Sequence, residues 1–293
     1  MSSLLGALDS MGEEYDIWPY TYPPFVSDLK QYPIVITVYR NKSDLGVINK
    51  YLSAGGNVLL SGNTDFSSYV YEDNSYGQGW CASESQTSFS RYGFDCVDTK
   101  AYPDTITGSD GGIFDGLSFD ISAYNLSGDG VLNQIYADEF EADEGNEQIE
   151  YDSGVNDPAI AAVSLNNGNY RVIATGFGIE GIHSNTGADG LDDFLNASLD
   201  YFRPDTIDVR KVKKNRISRR QKHTIRVIGR RFTEVGNTKV FMGNKRLKDR
   251  VISRNKIIVT VPAKKFRRGV YTIKVVDPFG TRDTLERAIR VVR

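Results

Sequence analysis

VIATGFGIEGIHS, residues 172–184, is the stretch on which the reading of this chain turns. Val172, Ile173 and Ala174 run into a Gly176-Phe177-Gly178 turn, with Glu180 and His183 just beyond. An apolar run stopped by glycines reads as a buried strand meeting a loop. In an open α/β sheet, ligands bind outside the carboxyl ends of the strands. A carboxylate and an imidazole placed there are candidates for acid–base work.

Working outward, NNGN at 166–169 joins AIAAVSL (159–165) to this strand as a hairpin signal. ADGLDDFLNASLDYF (188–202) follows as a helix, with Leu191, Phe194, Leu195, Leu199 and Phe202 on one face. YPIVITVY (32–39) is a continuous β-branched run, expected to be a strand buried on both faces. Ser43 can cap a helix carrying Leu45, Ile48 and Leu52, stopped near Gly55, and NVLLSG (57–62) is the next buried strand. SSLLGALDSMG (2–12) reads as a helix and EYDIWPY (14–20) as a short strand. Strands alternating with helices predict a mainly parallel sheet with helices on both faces, of the flavodoxin-like kind. Residues 62–158 are rich in Gly, Asp, Ser and Tyr and read as long loops and an irregular insertion.

This order of pieces resembles a class I glutamine-amidotransferase-like domain, of the type accessory to secreted peptidases and surface proteins. The resemblance lies in ALDSMGEEYDIW, YPIVITVY, YLSAGGNVLLSG, GLSFDI with SGDGVLNQ, and GFGIE, and covers most of residues 1–203. It implies a cysteine after NVLLSG, where the chain has Ser61, Gly62, Asn63 and Thr64, and a histidine where it has Gly178. Glu180 is the triad position retained. The implied role is therefore a non-catalytic binding or structural module, with Glu180 a structural acceptor. The competing reading is a hydrolase built on Ser61 or Thr64 with His183. In such a fold the first helix follows a central strand, which is missing here. That leads to the expectation of an incomplete N-terminus.

After about residue 204 the pattern changes. HTIRVIGRRF (223–232), TKVFMG (238–243), KIIVTVP (256–262), YTIKVVD (271–277) and RAIRVVR (287–293) are short alternating strands separated by turns. Residues 205–293 thus read as an all-β sandwich. The pieces IRVIGRRF, VFMGNKRL, IIVTVPA and GVYTIKVVDPFGT resemble an IPT/TIG domain, which implies an immunoglobulin-like fold; RRQKH (219–223) departs from the family's usual Gly-Gly.

Charge divides sharply at the same place. Residues 1–204 hold 8 Lys and Arg against 31 Asp and Glu, and residues 205–293 hold 27 against 7. The basic residues cluster at RKVKKNRISRRQK (210–222), GNKRLKDR (243–250) and KKFRR (264–268). Such density attracts phosphate or sulfate polymers, and Lys211, Lys213, Lys214, Arg216, Arg219 and Arg220 are the candidate contacts for a polyanionic polymer or cell-envelope component. The competing reading is a solvated β-domain with no such partner. Aromatic interleaving is poor, which argues against a stacking single-strand binder.

Asp110, Asp115, Asp120 and Asp129 stand in Gly-rich loops that could ligate calcium, though no EF-hand pattern is present and the expectation is no cofactor. Cys81 and Cys96 form either one disulfide or two free thiols. The start of the chain lacks the pattern of a secretory signal. An extracellular or cell-surface setting is expected from the resemblance, a cytoplasmic one from the absent signal; oligomeric state stays open.

Overall fold

The computed structural model describes residues 2–18, 24–38, 45–61, 90–101, 104–122, 136–152, 159–183, 188–203, 207–233 and 235–293. The chain divides into two compact units. The first comprises residues 1–24, 34–46 and 57–202; the second comprises 25–33, 47–56 and 203–293. Two short segments from early in the chain therefore group with the C-terminal β-strands. Tyr51 donates to the Tyr32 carbonyl, Thr233 Oγ1 donates to the Gly55 carbonyl, and Gly236 N–H donates to the Lys30 carbonyl.

The first unit is built on one nine-stranded sheet. Its strands are β1 (Ile34–Thr37), β2 (Asn57–Ser61), β3 (Phe94–Ala101), β4 (Thr105–Gly108), β5 (Ser118–Asp120), β6 (Tyr136–Ala142), β7 (Asn146–Tyr151), β8 (Ala159–Asn166) and β9 (Arg171–Thr175). The main path runs β1-β2-β9-β8-β7-β4-β5, and β6 joins β3 to β8. Pairing is parallel in β1/β2 and β2/β9; the other ladders are antiparallel. The expected doubly wound, mainly parallel sheet is thus corrected to a mixed sheet with a parallel edge and an antiparallel majority. The reason lies in residues 62–158. FDCVDTKA, YADEFEA and NEQIEY carry no long apolar run, so they read as loops, yet they form β3, β6 and β7.

The run IVIT forms β1, but at the end of the sheet path, where each of its residues is half-buried. β8 and β9 form the expected hairpin. Asn166 and Asn167 turn their side-chain oxygens onto the N–H groups of Gly168, Asn169 and Tyr170, with Gly168 at φ 77°. Helix α1 (Ser2–Met11) packs on the helix Leu191–Phe202, and both bury apolar faces in the main core. Phe194 is the hub of that core: its ring stacks on Phe114 at 4.7 Å and meets Phe119 and Phe177 edge-on.

The second unit packs two sheets on one core. The four-stranded sheet runs β10 (Asp208–Lys213), β12 (His223–Arg230), β16 (Lys256–Val261), β15 (Lys248–Ser253). The five-stranded sheet runs β11 (Arg216–Ser218), β18 (Arg282–Val292), β17 (Gly269–Val276), β13 (Lys239–Met242), β14 (Lys245–Arg246). Strict alternation drives this: Ile225 and Val227 of β12 and Ile257 and Val259 of β16 face inward, fully buried, while Thr224 and Arg226 face out. Gly229 is required where β10 bulges, because a Cβ there would meet the Asp208 carbonyl at 2.0 Å.

Candidate polyanion interface

Strand register decides where the cations of the second unit go. β10 pairs antiparallel with β12, so Lys213 at the end of β10 lies near the start of β12. β12 pairs antiparallel with β16, which places His223 opposite Val261 and the turn 262–268 at the same end. β15 starts there too, with Lys248 opposite Thr260. In the other sheet, Gly269 at the start of β17 faces Val291 near the end of β18, and β11 runs beside that end. One pole of the unit therefore collects all three basic clusters.

Direct contacts tie the pole together. Lys264 N–H donates to the Arg219 carbonyl at 2.9 Å, and Arg219 N–H donates to the Val292 carbonyl at 3.1 Å. Lys245 Nζ donates to the Lys265 carbonyl, and Lys265 Nζ to the Arg246 carbonyl, both at 3.3 Å. Buried His223 holds the turn from beneath: its Nε2 lies 2.8 Å from the Ser218 carbonyl oxygen and 3.0 Å from the Ser218 nitrogen. Lys213, Lys214, Arg216, Arg219 and Arg220 are exposed here. Lys211 is also exposed, two residues further along β10 on the outer face of the four-stranded sheet.

Acids are few at this pole. Asp208, Asp277 and Asp283 lie at the opposite pole, where β10 and β18 begin and β17 has ended. Asp208 there pairs with Arg210 at 2.6 Å. Asp249, next to the basic pole, is half-buried; burial raises its carboxyl above the ordinary range, opposed by backbone hydrogen bonding and Arg246. Glu286 accepts a hydrogen bond from Thr272 at 2.6 Å. The sequence reached the basic runs but not the support beneath them. His223, Ser218 and the pairing of β11 with β18 carry no signal legible in sequence.

The residues singled out in the first unit have structural partners. Ser61 is buried at the end of β2; its Oγ donates to Glu180 Oε2 at 3.3 Å and accepts the Ile179 N–H at 3.0 Å. His183 pairs through its backbone with Asp120, its N–H donating to the Asp120 carbonyl at 3.0 Å. No hydrogen bond joins His183 to Ser61 among the described residues, and Thr64 lies outside them. Gly176 is fixed by close approach: an added Cβ would meet the Asp138 carbonyl at 1.9 Å. Among the described residues no group of three or more His, Cys, Asp or Glu could hold a metal ion. Asp120 Oδ1 accepts from Ser122 N–H and Oγ, Asp110 and Asp115 stand in the turns between β4 and β5, and Asp129 lies outside the described residues. Cys81 and the Cys96 side chain also lie outside them, so the disulfide expectation does. No described helix is long and apolar enough to cross a membrane.

No family model matches the chain, and no curated protein matches it. Solved structures similar to it include a cold-adapted β-galactosidase from Rahnella sp. R3, at 10% identity and TM-score 0.45, covering 89% of this chain and 36% of that one. The β-galactosidase of Halorubrum lacusprofundi follows at 13% identity and TM-score 0.42, covering 89% and 35%. The exo-β-1,4-mannosidase Op5Man5 from Opitutaceae bacterium strain TAV5 is at 14% and 0.39, covering 60% and 26%. The chain spans about a third or less of the length of these proteins. At these scores the likeness is one of distant shape and assigns no activity. These neighbours are named as glycosidases, not amidotransferases. The amidotransferase-like and IPT/TIG family assignments are corrected accordingly. So are the roles drawn from them: the non-catalytic module of a surface protein, and the Ser61/Thr64–His183 hydrolase of amidotransferase type.

Proposed function

We propose that the second unit binds an extended anionic polymer at its basic pole, and that the polymer is a sulfated or carboxylated polysaccharide. One observation carries this reading: three basic clusters, separated in sequence, converge at one end of the two sheets, while Asp208, Asp277 and Asp283 lie at the other among Arg210, Arg230, Lys239, Lys256 and Arg282. A surface dense in cations and poor in carboxylates focuses a positive field on anionic groups. Base readout of a duplex uses a helix or a two-stranded ribbon in a groove, and single-strand binding uses exposed aromatic platforms. Among the described residues of 207–293 there is no helix, and the pole shows no exposed aromatic platform: Phe266 is buried, and Tyr271 is half-buried with its hydroxyl donating to the Arg267 carbonyl.

The test is binding of the full chain to heparin, polygalacturonate and duplex DNA over a range of salt. Counterion release predicts a linear fall of log affinity with log salt, roughly a thousandfold between 50 and 200 mM for about six contacts. Arg219→Gln with Arg220→Gln weakens binding and flattens that slope. Salt-independent retention, or an unchanged slope in the double variant, overturns the reading.

A further inference from the structure

Four like-charged residues in the second unit are paired directly across strands. Arg216 of β11 is in register with Arg290 of β18, and Lys213 of β10 is in register with Arg226 of β12. All four side chains are exposed, and no carboxylate pairs with them among the described residues. Like charges directly opposite one another destabilise a ladder. The same pole holds two lysines in the left-handed backbone region, Lys214 at φ 66° and Lys264 at φ 62°, a conformation that glycine or asparagine adopts more readily. Lys214 sits between the two pairs in sequence, and the Arg290 N–H donates to the carbonyl of the next residue, Asn215, at 2.7 Å. Two like-charged pairs, one on the outer face of each sheet, and two left-handed lysines thus break local rules toward this end of the unit, each time in favour of a cation; Arg231 and Arg287, also left-handed, lie away from it. Such conflicts concentrate where a surface has a function.

We propose that the Arg216/Arg290 and Lys213/Arg226 pairs are seats for individual sulfate or carboxylate groups of the polysaccharide. This rests on the polyanion reading of the pole and adds which residues grip the charged groups. Neighbouring strands lie about 5 Å apart in parallel and antiparallel ladders alike, so residues in register are close enough for two cationic heads to share one tetrahedral or planar anion through charge-assisted hydrogen bonds. Binding removes the repulsion between the paired heads. The free protein therefore carries a local instability that the ligand relieves. Lys214 and Lys264 supply further ammonium groups from turns where glycine would be the less strained choice.

The experiment compares the parent chain with Arg290→Gln, and with Arg216→Gln as the second variant on the other strand of the same pair. Arg282→Gln, at the opposite pole, is the control. Heparin, polygalacturonate and duplex DNA are the probes, read by affinity and by melting temperature with and without each polymer. Either pair variant alone raises the melting temperature of the free protein by about 2–4 °C, and lowers heparin affinity about tenfold. The control does neither. Undiminished affinity in both pair variants overturns the seats while leaving the broader reading intact. Absence of heparin and polygalacturonate binding by the parent at low salt overturns the broader reading itself. Duplex DNA bound more tightly than heparin overturns the polysaccharide assignment. A lowered melting temperature in both pair variants shows that no repulsion was present to relieve and also counts against the seats.

Discussion

Asp277 offers a direct measurement of electrostatic strain in the second unit. It follows β17 in the turn Asp277-Pro278-Phe279-Gly280-Thr281 and is almost wholly buried. Its Oδ1 accepts the N–H groups of Phe279 at 2.9 Å and Thr281 at 2.8 Å. Its Oδ2 is buried with no partner among the described residues. Burial raises the carboxyl to about 6, against the lowering effect of the turn's N–H groups. The unfolded chain titrates near the ordinary 3.8. Between these values the folded state holds a proton that the unfolded state has released. Stability therefore falls as pH rises from about 4 to about 6, and the deficit is complete above that. A shift of roughly 2 pH units corresponds to about 3 kcal/mol at full value. The turn is close to solvent, and screening cuts this to about 1.5 kcal/mol. Asp277→Asn keeps the Oδ1 acceptor and removes the charge. The variant should match the parent at pH 4 and exceed it by about 1.5 kcal/mol at pH 8, a rise in melting temperature of about 5–10 °C for a unit of this size. Scanning calorimetry at intervals from pH 4 to pH 8 makes the comparison. A difference between variant and parent that does not grow with pH, or that changes sign, refutes the reasoning.

Phe194→Ala removes the ring on which Phe114 stacks and which Phe119 and Phe177 meet edge-on. It should cost about 3–5 kcal/mol, and denaturant unfolding of the parent and variant measures it. Gly229→Ala drives a methyl toward the Asp208 carbonyl and Phe232 Cζ, 2.0 and 2.5 Å from the added carbon. The bulged pairing of β10 must shift, at a cost of about 2 kcal/mol or more, which should appear as faster hydrogen exchange at Val209 and Lys211, the residues flanking the bulge. Ser61→Ala strands the buried Ile179 N–H and should cost about 1–3 kcal/mol, measured by the same denaturant series.

Sequence patterning reached elements whose signal is local. The alternation in HTIRVIGR and KIIVTV corresponds to β12 and β16 because one face of each strand is buried and the other is wet. NNGN announced the β8/β9 hairpin through turn chemistry contained within four residues. The sheet of the first unit was misread for the opposite reason. β3, β6 and β7 alternate acidic and apolar residues without a long apolar run, and their stability comes from pairing with partners far away in sequence. The run at β1 reads as a strand buried on both faces, yet it is half-buried at the end of the sheet path, because an apolar β-branched run looks the same at the end of a sheet as in its middle. GFGIEGIHS reads as a strand meeting a loop with Glu180 a structural acceptor, but which groups Glu180 and His183 meet, the Ser61 hydroxyl and the Asp120 backbone, depends on segments far away in sequence.

That residues 205–293 carry 27 Lys and Arg against 7 Asp and Glu, densest in three runs, on short strands that alternate inward and outward, is legible from the amino-acid order alone. Charge density and alternation are properties of neighbouring residues, so they need no fold to be read. Only the tertiary structure decided that those runs meet at one pole, that Arg216 stands beside Arg290 and Lys213 beside Arg226, and that Asp208, Asp277 and Asp283 lie at the far end. Cross-strand register fixes these juxtapositions, and register is set by burying the inner faces of both sheets in one shared core, a condition that involves the whole unit at once.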